Sequence, residues 1–138
     1  MNNNDCFTMF NKHAKTFLER MYAAYPEETK IRDYILLFEL FEKADYTSPV
    51  NMFMDNLRPF GLQIMSRDEH FFKDDQYVNH VENLSGKMGL INHWKEMSPT
   101  TKNNVWEYVQ LLYVTGMAAQ GHKEELNGVI MESKKKLI

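Results

Sequence analysis

Five histidines, one cysteine and an acidic cluster are the residues of this chain with the most chemistry in them. His13, His70, His80, His93 and His122 are scattered, with no His-x3-His pair and no second cysteine beside Cys6. A closed tetrahedral zinc site would therefore have to draw its ligands from several elements. Asp68, Glu69, Asp74 and Asp75 crowd one segment, but without the alternating oxygen ligands and central glycine of an EF-hand loop. A solvated acidic loop that caps neighbouring helices is the simpler reading. Acid–base catalysis needs titratable groups whose environments push their pKa values apart. Asp68, Glu69 and His70 are neighbours in sequence, and neighbours in a loop do not share a direction. Cys6 lies near a helix N-terminus, which lowers thiol pKa, yet it borders an apolar face where a small buried hydrophobe is ordinary. A Gly-rich phosphate loop, a GxSxG motif and a kinase signature are all lacking. The sequence assigns no catalytic residue, no metal site and no cofactor.

Contact surfaces have more to work with. Nine Phe, seven Tyr, two Trp and ten Met are more than a small core obviously needs, and Met-rich surfaces adapt readily to partner helices. Met52, Phe53 and Met54 are consecutive and cannot all face one core, and Phe71 and Phe72 pose the same problem. The predicted protein-binding residues are these five together with Asp68 and Glu69. A second reading is a nucleic-acid interface on Lys12, Lys15, Arg20, Lys30 and Arg32, extended by Lys134, Lys135 and Lys136, because such clusters neutralise phosphates even in an acidic protein. Against it, Glu19, Glu27, Glu28 and Asp33 interleave with these bases, as on any solvated helical face.

The elements that must position these residues are helical. Phe7, Phe10, Ala14, Phe17, Leu18, Met21 and Tyr25 recur at steps of three and four, predicting a helix from Asp5 to Ala24 with Asn4 or Asp5 capping its first turn. A second helix, from near Glu27 to Ala44, has apolar residues around nearly its whole circumference, which predicts the central, most buried helix. Ser48-Pro49 and Ser98-Pro99 each place a capping hydroxyl before a proline at the first helical position. The first opens a helix to about Asn56, with one or two further turns between Phe60 and Met65. The second opens a helix that runs to Gln120 and terminates at Gly121. Residues 67–75 have neither helical nor strand period and read as an ordered loop pinned by Phe71 and Phe72. Short helices are expected over 75–84, where Tyr77, Val78, Val81 and Leu84 recur, and over 87–97, where Gly89 weakens the second by about 1 kcal/mol. Residues 123–134 form a last amphipathic segment, either a docked helix or a frayed basic tail.

Nothing alternates with period 2, so the predicted fold is all-α: a compact single-domain bundle of five to seven helices over residues 1–138, with residues 1–4 flexible. Composition agrees, at 43% hydrophobic and 25% charged residues. The net charge of -3 gives no general attraction to nucleic acid or anionic lipid. No apolar run is long enough to span a membrane, and a lone cysteine with no leader-like start fits an intracellular protein that is not secreted.

Phe10-Asn11-Lys12, Phe17-Leu18, the Arg67-Asp68-Glu69-x-Phe71-Phe72 segment, Trp94-Lys95 and Lys102-Asn103-x-x-Trp106-x-Tyr108 occur in this order over residues 10–108. In that order and spacing the chain resembles a group of small helical proteins encoded by large nucleocytoplasmic DNA viruses. The resemblance implies a viral protein acting in the host cytoplasm, nucleus or virion, and brings no catalytic residues with it. The expected function is a non-enzymatic interaction or structural module. Its partners would be viral or host proteins or further copies of itself, with a nucleic-acid-associated factor as the alternative.

Overall fold

The computed structural model describes residues 3–72 and 93–136. Among them are six α-helices: α1 (Asn3–Ala24), α2 (Thr29–Ala44), α3 (Ser48–Leu57), α4 (Gly61–Met65), α5 (Pro99–Ala119) and α6 (Lys123–Lys136). Arg58–Phe60 and Glu69–Phe72 add short 3-10 turns, and no strand occurs among the described residues. The all-α bundle is therefore as expected. The helix expected over 75–84 and most of the one over 87–97 lie outside the described residues. His93 and Trp94 are helical, and the chain turns at Lys95 and Glu96, short of Met97.

The core forms along the two longest helices. Phe10, Ala14, Leu18 and Met21 of α1 are buried at helical spacing, as are Val105, Val109, Leu112 and Met117 of α5, and α1 against α5 is the principal helix interface. Met54 of α3 lies over Gly116 of α5, where a Cβ would meet its Sδ at 2.5 Å. α4 packs against α5 and α6, and the last segment is a docked helix, with Leu126 and Ser133 buried.

A second centre of the core is aromatic. Phe72 stacks on Trp94 with ring centroids 4.3 Å apart and meets Trp106 edge-on at 4.7 Å. Phe71 meets Phe72 edge-on at 5.3 Å, and both phenylalanines are buried. The chain is delivered there by Arg67, which adopts the left-handed backbone region at φ 53, an uncommon choice outside glycine. Its guanidinium donates to Asn103 Oδ1 at 2.6 Å and twice to Gln110 Oε1 at 3.3 Å. Gln110 in turn donates to the carbonyls of Ile64 and Met65, satisfying the end of α4. The φ of 53 is thus held by a network tying this turn to α5.

Local signals resolve unevenly. Ser98 caps α5, its hydroxyl accepting from the Thr101 amide at 3.2 Å with Pro99 at the first helical position. Gly121 ends α5 at φ 80 as expected. Ser48 does not cap α3. Helix α3 begins at Ser48 itself, and Asp45 Oδ1 instead accepts from the Thr47 amide and hydroxyl at 3.0 and 2.8 Å, an Asx-type turn. Asn4 does not cap either, since α1 already includes Asn3 and Asn4 Oδ1 accepts the Tyr46 hydroxyl at 2.8 Å.

Candidate interaction surface

Among the described residues, the large exposed apolar side chains concentrate on α2. Leu36, Leu37, Leu40 and Phe41 are 56%, 48%, 63% and 43% exposed, whereas only Ile31 and Phe38 of this helix are buried. The expectation of a central, most buried α2 is therefore wrong. Apolar residues occur all round it, but among the described residues it packs chiefly on α1 and α3, on one side. Tyr34 and Ile35 are half-buried at the margin of that side. Lys15 of α1 bridges to Glu42 at 3.2 Å and ties the covered side down. On the open side Asp33, Leu37, Leu40 and Ala44 recur at steps of four, three and four and so form one stripe, flanked by Leu36 on one edge and Phe41 on the other. All six are exposed. The four large side chains offer roughly 400 Å² of apolar surface, the size at which patches on single chains are often functional.

The residues singled out from sequence fall elsewhere. Phe71, Phe72 and Met54 are 0%, 2% and 2% exposed, so they are core side chains and not surface anchors. Phe53 is half-buried and meets Phe10 edge-on at 5.1 Å. Met52, 48% exposed, lies on the outer side of α3. The three consecutive residues thus separate over one helical turn instead of forming a patch. Asp68 is half-buried and its Oδ1 accepts from the His70 amide at 3.1 Å, a local turn contact, while Glu69 is exposed.

The basic residues are divided among α1, α2 and α6, and several meet a carboxylate or a ring. Lys15 pairs with Glu42, Arg32 Nη2 lies 3.5 Å from Asp33, Arg20 covers the Tyr108 ring at 5.6 Å, and Lys135 bridges to Glu132 at 3.1 Å. Lys12, Lys30 and Lys134 are exposed on three different helices, and the side chain of Lys136 lies outside the described residues.

The cleft formed among the described residues offers little chemistry. Shallow, about 560 Å³ in volume and set between α4 and α6, it is lined by Asp55, Arg58, Gly61, Leu62 and Glu125, and Arg58 is engaged by Glu125 through two bonds of 2.9 and 3.1 Å. That pairing holds the Glu125 carboxyl below its usual range and raises Arg58. Beside it Tyr113 is fully buried, its hydroxyl without a hydrogen-bond partner among the described residues and pushed up to about 12, chiefly by burial. Such a phenol holds its proton. Cys6 is buried. Among the described residues no three His, Cys, Asp or Glu side chains converge to hold a metal ion, and no helix is long and apolar enough to cross a membrane. No family model, curated protein or solved structure matches the chain.

Proposed function

We propose that this chain is a non-enzymatic protein-interaction module that receives a helical partner on the open face of α2. One observation carries the reading: Leu36, Leu37, Leu40 and Phe41 stand exposed on contiguous turns of a helix whose other side is packed. Covering roughly 400 Å² at about 25 cal/mol per Å² yields about 10 kcal/mol before costs. Association itself costs on the order of 4–15 kcal/mol. The face therefore supports reversible docking, with flanking polar contacts deciding the balance. On the strength of the resemblance drawn from residues 10–108, the setting is the inside of an infected cell or the virion. The nucleic-acid alternative has less support, because its basic residues are divided among three helices and Lys15 is held by Glu42 in a partly buried pair.

The test is affinity purification of the tagged protein and of its Leu37→Asp/Leu40→Asp variant from the native cellular context, with and without nuclease and at low and high salt. Both positions are exposed, so the variant should keep its helical circular dichroism and its melting temperature. Defined proteins should co-purify with the wild type despite nuclease and high salt, and disappear with the variant. Recovery of the same proteins by the variant, or their loss on nuclease treatment, would overturn the proposal.

A further inference from the structure

Resting on that reading, we infer that the occupant of the α2 face is the α2 face of a second copy, packed antiparallel about a two-fold axis. Such an axis requires a surface that complements itself when reversed, and the pattern of α2 does. Positions 33 and 43 lie equally far from position 38, as do positions 36 and 40. Reversing the helix about that point sets Leu36 against Leu40 and brings Leu37 level with Glu39 of the other copy, one residue short of its Leu40. It also sets Asp33 against Lys43 at both ends, and both residues are exposed. Parallel pairing would instead oppose Asp33 to Asp33 and Lys43 to Lys43, so charge selects the antiparallel arrangement. Arg32 does not compete strongly for Asp33, its Nη2 lying 3.5 Å from one carboxylate oxygen with both side chains more than half exposed.

The available area fits a reversible dimer. The four apolar side chains of two copies together present roughly 800 Å², and the flanking Asp33, Lys43 and Ala44 raise the total to about 1,000 Å², the lower bound for a specific interface. The pairing therefore depends on concentration.

Sedimentation equilibrium over a wide concentration range tests this. The wild type should move from 16.4 kDa toward twice that mass, and Leu37→Asp/Leu40→Asp should stay at the single-chain mass throughout. Asp33→Lys alone and Lys43→Asp alone should each weaken pairing several-fold. The double variant should recover it, and a mixture of the two single variants should pair better than either alone. A wild type that stays at the single-chain mass overturns the inference, as does a dimer that survives Leu37→Asp/Leu40→Asp or ignores the charge reversals. A non-dimerising wild type that still captures a protein lost with Leu37→Asp/Leu40→Asp would leave the docking reading standing with another occupant. Loss of both results would remove both.

Discussion

The hydroxyl of Tyr113 is buried without a partner among the described residues and lies against Gly61, where a Cβ would overlap it. Two opposite outcomes follow at these positions. Gly61→Ala should cost about 1–3 kcal/mol by overpacking. Tyr113→Phe should be neutral or stabilising, because it removes an unsatisfied buried group. In the double variant the alanine should cost less, and a thermal or urea double-mutant cycle gives the coupling directly. The same phenol sets the alkaline limit. Burial pushes it from the ordinary 10.0 up to about 12 in the fold, so it leaves stability unchanged below pH 10 and lowers it as pH climbs toward 12. Tyr25 and Tyr34 are raised by burial in the same direction, Tyr25 with help from Glu27 and Glu96. Melting temperature against pH should fall over this window, and less steeply for Tyr113→Phe.

Helix starts provide the cleanest contrast among the elements. Ser98→Ala should destabilise by about 1 kcal/mol, because its hydroxyl holds the Thr101 amide. Ser48→Ala, at an equally proline-marked start, should cost a few tenths of that, because Asp45 does the holding there. Chemical denaturation of both variants checks the pair. Periodicity and Ser-Pro punctuation made α1, α3, α5 and the Gly121 stop legible, since those signals act within a few residues. The openness of α2 was not legible. A helix apolar all round is normally enclosed, and only tertiary packing decides which sides are covered. Phe71 and Phe72 were misleading for the converse reason. Adjacent side chains diverge on a strand, but a 3-10 turn held by Arg67 lets both enter the core between Phe60, Trp94 and Trp106. Nothing in local sequence announces a left-handed arginine.

Across the described residues, packing of apolar side chains builds both centres of the core, and the partly buried pairs Lys15–Glu42 and Glu28–His93 lie beside them. The Arg58–Glu125, Arg32–Asp33 and Lys135–Glu132 pairs have both members well exposed, and such pairs contribute about 0–1 kcal/mol each and are screened by salt. Urea unfolding in 1 M NaCl, followed by Trp94 and Trp106 fluorescence, should therefore shift stability by no more than about 3 kcal/mol, the upper sum for these three pairs. A large loss would mean that ion pairs, and not the two centres of the core, hold the helices together. The close fit of Gly61 to Tyr113 also bears on ancestry. A distant relative could replace nearly every surface residue and keep this fold, but wherever it retains an aromatic ring at the position of Tyr113 it must retain glycine opposite. That coupled pair, together with glycine under the α3 methionine at the position of Gly116, is a signature by which descendants of the same architecture would be told apart from other small helical bundles.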